Sequence, residues 1–245
     1  MSNHSLFDAK VSLEPIKHVY TDKDGAEYKS VTTILKDIAE KFEDTFAYKN
    51  ASEEKRAEWK EKGRDAADKG TRIHNALELF AESGFIKVED LELEDVIRDI
   101  HSHYTGYNKL HNEICLYNEE LKIAGTADRI CAVSNRKDSA VDIADFKTSG
   151  SKGIQFYSDY NKKFFAPFDH MHDCNYNKYS FQLSIYAYFF ELLTGRKIRQ
   201  LYIHYIPLEN PMEHKKIPVT YLKNDVKLML EKYKVKVELT EQNVF

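Results

Sequence analysis

The segment Lys178–Leu193 is apolar on nearly every side, so it is predicted to be a helix buried within a protein core or a bilayer. Its most apolar part, Ser184–Leu193, is about half the length a bilayer crossing needs and contains Tyr186, Tyr188 and Glu191. An internal helix remains, ended by Thr194-Gly195, and the chain must build a core around it. Ahead of it, Arg64–Ser83 carries Ile73, Ala76, Leu77, Phe80 and Ala81 at helical spacing on one face. A second helix is predicted over Leu91–Leu110. Strands are predicted over Glu113–Tyr117, Leu121–Val133 and Ala140–Lys147, with the loop Ser134–Asp138 between the last two. Strands Arg199–Ile206 and Lys216–Tyr221 and a C-terminal helix follow the buried helix. This order specifies an α/β chain with a mixed sheet, and the absence of G-x-G-x-x-G argues against a doubly wound dinucleotide fold.

The region before residue 64 opens with a predicted hairpin: His18-Val19-Tyr20, a turn at Asp22–Gly25, then Tyr28. Helical material is expected over Ser30–Lys62, punctuated by Gly63. We therefore divide the chain into an N-terminal hairpin and helical region (1–63) packed on a core (64–245). The 245 residues fit one sizeable domain with such an appendage. No fixed-period repeat suggests a solenoid.

Lys and Arg total 36 against 40 Asp and Glu, a net charge of -4. That balance does not suit a protein that coats nucleic acid broadly. Local clusters at Lys162-Lys163, Arg196-Lys197-Arg199 and Lys215-Lys216 leave room for a basic groove, and acidic metal ligands would themselves lower the total. The three cysteines (Cys115, Cys131, Cys174) are scattered without C-x-x-C, as expected in a reducing cytoplasm. Met1–Lys10 has neither an apolar signal core nor an Arg-rich transit pattern, and no membrane partner is expected.

Four short patterns carry potential chemistry. In Val141–Ser149, strand alternation points Asp145 and Lys147 to one side and Phe146 to the other. A carboxylate that holds a divalent cation and an ammonium that steadies developing charge could share a site there; a solvated Asp–Lys pair is the ordinary alternative. In Ala124–Ile130, Asp128 lies on the preceding strand, where a hairpin can bring it beside Asp145. Two adjacent carboxylates need a cation or a proton, unless Asp128 instead pairs with Lys122 or Arg129. In Gly70–Glu78, His74 borders the buried helical face with Gly70 one turn before and Glu78 one turn after. It is either a metal ligand or a boundary histidine bonded to Glu78. On the buried helix, Gln182 and Tyr186 at i and i+4 form a polar stripe that needs partners, each other included. The ten His and three Cys show no zinc-ligand spacing; His101-x-His103 and His170-x-His172 lack Cys partners. No P-loop or G-x-S-x-G is present.

Together, Gly70-Thr71-x-x-His74, Gly125-x-x-Asp128, Asp145-x-Lys147-Thr148 and Gln182-x-x-x-Tyr186 resemble the PD-(D/E)XK nuclease superfamily. More narrowly they resemble its RecB-type branch, which includes phage exonucleases and the mitochondrial genome maintenance exonuclease. Ser30–Leu35 and Trp59 resemble the N-terminal region of that branch, so the likeness extends from about residue 18 to 206. It implies a restriction-endonuclease-like core with a mixed central sheet flanked by helices. It also implies a metal-dependent DNA nuclease, an exonuclease on single strands or DNA ends in recombination, repair or phage DNA processing. His74, Asp128, Asp145 and the Phe146 carbonyl would bind Mg²⁺ or Mn²⁺, and Lys147 would position water and stabilise the phosphorane. Gln182 and Tyr186 would brace the lysine or touch the DNA backbone. Glu113 matches an acidic position upstream of Gly-x-x-Asp. Iron–sulfur members of the branch carry four cysteines; this chain has three. Tyr48 and Trp59 are candidates for base stacking. The alternative of another class is a catalytically silent nucleic-acid-binding accessory protein on the same fold.

Overall fold

A computed structural model describes residues 6–242 apart from 8, 15, 16, 18, 137 and 150–152. The start of the predicted hairpin at His18, Lys137 in the predicted loop and most of Met1–Lys10 lie outside the described residues. The rest of the hairpin forms as β2 (Val19–Asp22) and β3 (Glu27–Ser30), with Tyr20 opposite Tyr28, and β1 (Val11–Glu14) extends it. The Asp22 carboxylate organises the turn by accepting from the Asp24 and Ala26 N–H groups. Ser30 then caps the short helix α1 (Val31–Leu35) by accepting from the Thr33 N–H at 3.1 Å.

After a short helix α2 (Phe46–Lys49), α3 runs unbroken over Glu53–Ser83, capped by Ser52. This corrects the break expected at Gly63. A single exposed glycine costs a helix about 1 kcal/mol against alanine, too little to stop thirty-one residues. The helix crosses the boundary drawn at residue 63. Its half beyond Gly70 is the one that packs, with Gly70, Ile73, Ala76 and Leu77 buried. The helix predicted over Leu91–Leu110 is also shorter: α4 covers Glu94–Ser102, and Lys109 and Leu110 already belong to β4 (Lys109–Asn118). Leu110 is at once a helical-period and a strand-period residue, and pairing with Cys131 decides its state.

The sheet order is β1-β2-β3-β5-β6-β7-β8, with β4 on the other edge of β5. Here β5 is Ile123–Ala132, β6 Val141–Ser149, β7 Ile198–Pro207 and β8 Lys215–Val219. The β6–β7 and β3–β5 pairs are parallel and the others antiparallel, so the sheet is mixed, as the element order predicts. Helix α5 (Asn175–Thr194) lies in the larger core, where Phe181, Leu183, Ile185, Phe189 and Phe190 are fully buried. Each such side chain contributes roughly 1.5–3 kcal/mol of apolar burial. Helices α3 and α4 cover a second core that contains Ala144, Phe146 and Ile206. The chain ends in α6 (Lys223–Gln242). Among the described residues no helix is long and apolar enough to cross a membrane.

Candidate active site

β5 shares one edge between two neighbours. Its first residues pair with β3 (Lys29 with Ile123, Ser30 with Ala124), and its last pair with β6 (Arg129 with Ala144 through Ala132 with Val141). Between these ladders the two strands fork. The first residues beyond the β5–β6 ladder are Asp128 on one arm and Asp145 on the other. The Asp128 side chain reaches across and accepts from the Phe146 N–H at 2.6 Å, which satisfies a donor the ladder has abandoned.

Two glycines allow this fork to close over. A Cβ on Gly125 would sit 2.5 Å from Cε1 of Tyr186 and 3.1 Å from Val31, so α1 and α5 approach the β5 backbone there. A Cβ on Gly70 would meet Thr148 Oγ1 at 2.5 Å, which sets α3 against β6 and aims His74 at the fork. Replacing Gly125 by alanine is expected to cost about 1–3 kcal/mol through overpacking. Gly63→Ala, at an open helical position, is expected to gain up to about 1 kcal/mol; urea unfolding of both variants measures the contrast.

Asp142 and Asp145 are both buried on β6, and their surroundings separate them. Asp142 accepts from Nε and Nη2 of Arg199, at 2.9 and 2.6 Å, and from the Tyr107 hydroxyl. It is a satisfied structural ion pair, which also absorbs one residue of a predicted basic cluster. Asp145 Oδ2 is buried without an aligned hydrogen bond, and the Lys147 ammonium lies against it. Burial and then the Asp128 carboxylate push the Asp145 carboxyl up to about 6, against the pull of Lys147. Lys147 loses solvation, yet Asp145 and Asp128 more than offset that and raise its pKa. Its ammonium stands 5.1 Å from the Tyr179 ring centroid.

On the opposite edge of β5, Asn112 pairs with Arg129 and Ile114 with Ala127, so Glu113 stands opposite Asp128. Like charges facing each other across a ladder destabilise it. Glu113 also has φ 48°, a strained conformation for a residue with a side chain. Desolvation, followed by the Asp128, Glu78 and Asp145 carboxylates, pushes its carboxyl up to about 8 even though its outer face is open. His74 Nδ1 is 3.6 Å from Asp128 Oδ2. One ligand atom each from His74, Glu113 and Asp128 lie within 4.8 Å of one another. An open groove of about 900 Å³ reaches this point, with Ser12, Glu82, His111, Asn112, Glu113 and Thr126 in its wall.

His74, Asp128, Asp145, Phe146 and Lys147, distant in sequence, are thus brought to one fork. The compact three-residue cluster contains Glu113, which the sequence reading left open, while Asp145 faces Lys147 beside it. Neither Lys122 nor Arg129 takes Asp128. Lys122 pairs with Asp22 at 3.3 Å, and Arg129 Nε donates to Asn112 while Nη2 donates to the Leu77 carbonyl. Gln182 and Tyr186 satisfy each other, with Gln182 Nε2 donating to the Tyr186 hydroxyl at 2.8 Å. They stand behind the fork as its buried wall. Tyr48 and Trp59 stack on each other with Phe42 edge-on to both, so α2 and the outer half of α3 share a half-buried aromatic cluster. Sequence reading did not single out Tyr179. Glu78, raised by burial and then by Glu82 and Asp128, was visible only as the residue one turn beyond His74.

The donor set suits a hard divalent cation. It offers clustered carboxylates that repel one another, a buried carboxylate oxygen with no aligned donor, and an imidazole at the border.

No protein-family model matches the chain, and no curated protein matches its sequence. Among solved structures it is similar to one called a "putative exonuclease" from Eubacterium rectale, at 13% identity over 88% of this chain and 82% of that chain, with a TM-score of 0.49. It is also similar to the structure of SSO0001, at 16% identity over 60% of this chain and 67% of that chain, with a TM-score of 0.29.

Proposed function

We propose that this chain is a metal-dependent nuclease that hydrolyses DNA phosphodiester bonds at the β5–β6 fork. The observation that carries the reading is the fork itself: Asp128 and Asp145 are the first residues past the ladder, with the Lys147 ammonium against Asp145. Glu113, His74, Asp128, Asp145 and the Phe146 carbonyl are the groups that would hold Mg²⁺ or Mn²⁺. When bound, such a cation supplies Lewis acidity at the phosphoryl oxygen and lowers the pKa of water. Lys147 adds a fixed positive charge aimed at the same space, which stabilises negative charge developing on phosphorus oxygens. The Phe146 N–H holds Asp128 in orientation through its 2.6 Å bond, and the Gln182–Tyr186 pair keeps bulk water off the rear of Asp145. The open groove beside Glu113 provides room for a nucleotide strand.

The finer reading, an exonuclease on single strands or ends serving recombination, repair or phage DNA processing, follows the sequence resemblance. Digestion of 5′- and 3′-labelled DNA, single- and double-stranded, linear and circular, tests both levels. Cleavage that needs Mg²⁺ or Mn²⁺ and stops with EDTA supports the nuclease reading, and sparing of circles supports action at ends. Binding without products in any metal would instead favour the silent accessory protein.

A further inference from the structure

A second set of ligand-type side chains lies away from the fork, where α4 meets the β7–β8 hairpin. Asp99 and His103 are four residues apart at the end of α4, so they share a helical face. His214 reaches them from the residue before β8. Its Nε2 is 2.8 Å from Asp99 Oδ2, and one ligand atom from each of the three residues lies within 4.8 Å of the other two.

We propose that Asp99, His103 and His214 form a second cation site, selective for a transition metal of the zinc class. Two imidazole nitrogens and one carboxylate oxygen suit Zn²⁺ or Co²⁺ and are a poor set for Mg²⁺, which prefers oxygen and ordered water. Three protein ligands leave a tetrahedral position for water. Zinc–ligand distances are about 2.0–2.2 Å, and the two ligands on α4, His103 and Asp99, are exposed side chains. The His103 ring makes no hydrogen bond among the described residues, so its nitrogens are available.

The strongest support comes from behind His214. Its Nδ1 lies 3.0 Å from Nε2 of His204, which is fully buried, and His204 Nδ1 lies 3.0 Å from the Tyr104 hydroxyl. Metal-binding histidines almost always donate their second ring N–H to a fixed partner. Here that N–H would be His214 Nδ1–H, donating to His204 Nε2, and His204 Nδ1–H would donate to the Tyr104 oxygen. Both rings remain neutral and each keeps one proton, so the relay accommodates the metal by tautomer alone. The result is a cross-link between α4 and the β7–β8 hairpin, with no requirement that the fork be catalytic.

The test is zinc retained by the full chain after equilibrium dialysis, counted by atomic emission. Because the fork also contains an imidazole, His74→Ala is the parent variant. It should retain one equivalent, and adding either His103→Ala or Asp99→Asn should remove it. With Co²⁺, the parent should give the visible absorption of a tetrahedral site and the double variants should not. His103 and Asp99 are exposed, and a cooperative thermal melt of each double variant establishes that it folds. Equal zinc in His74→Ala and His74→Ala/His103→Ala, or no zinc in the parent, overturns the proposal.

Discussion

Asp145→Asn and Lys147→Met are each expected to slow Mg²⁺-dependent DNA cleavage by on the order of 10³-fold or more. Both side chains project from one side of β6 into the fork, and each is what the other's charge is balanced against. Removing the carboxylate takes away a cation ligand in the proposed reaction. Removing the ammonium takes away positive charge where the phosphoryl group becomes more negative. Because the two act on one transition state, the double variant should be no slower than the worse single one, rather than 10⁶-fold slower. The double variant also answers the concern about folding. A single replacement leaves one member of the buried pair without its partner, which is costly, whereas replacing both removes the pair and leaves Asp128 with its Phe146 N–H bond. Asp145→Asn/Lys147→Met should therefore melt cooperatively near the wild-type temperature while remaining inactive in single-turnover assays. Wild-type rates in either single variant would remove the fork from the chemistry.

Part of this region is legible in the sequence because the Asp145–Lys147 pair is local in the chain. Alternation alone places Asp145 and Lys147 together, and Gly70 and Gly125 stand where the Thr148 and Tyr186 side chains would have to shift to admit a Cβ. The central helix was legible for a similar reason, since apolar residues on every side leave a helix no surface to offer water. What remained hidden depends on pairing between distant segments. Glu113 is pointed to by the resemblance alone; its place opposite Asp128 with a strained backbone comes from register, which the residues around it do not encode. Likewise, Asp99 and His103 look like ordinary surface residues until the β7–β8 hairpin delivers His214 from more than a hundred residues away. The helix through Gly63 went the other way. Local punctuation suggested a stop, and the helical propensity of the flanking Glu, Lys, Arg and Ala overrode it. The stacking of Tyr48 on Trp59 joins two segments eleven residues apart, a contact that neither residue's neighbours encode.

The second large effect is a pH dependence of stability that metal removes. Glu113 has an ordinary carboxylate pKa of 4.5 in the unfolded chain and about 8 in the folded protein. Between those values the native state holds a proton that the unfolded state has lost, so unfolding releases it and stability falls as pH rises. The contribution is whole below about pH 4.5 and gone above about 8. Asp145, raised to about 6, has the same sign but completes its change earlier. The half-buried His111 and the buried His204, depressed to about 4 and about 2, work in the opposite direction, but only below the ordinary histidine value of 6.5. The window from about pH 6.5 to 8.5 therefore isolates Glu113 among these groups. Metal-free protein should lose about 1 kcal/mol there after screening at the open rim, a fall in Tm of roughly 2–4 °C. Glu113→Gln should flatten the curve. Mg²⁺ or Mn²⁺ needs the carboxylate form, so its apparent affinity should rise by up to about tenfold per pH unit until Glu113 is ionised, with release of one proton. At a hundred times its Kd the cation adds about 2.7 kcal/mol, or roughly 5–10 °C in Tm. Saturating metal thus removes the decline towards pH 8.5, because Glu113 is then ionised in both the folded and the unfolded state and unfolding releases no proton from it. Calorimetric titration in buffers of different ionisation enthalpy counts the proton. If the Tm gain from Mn²⁺ is the same at both ends of the window, or Glu113→Gln leaves it unchanged, Glu113 is not a ligand and the fork binds its cation through Asp128 and Asp145 alone.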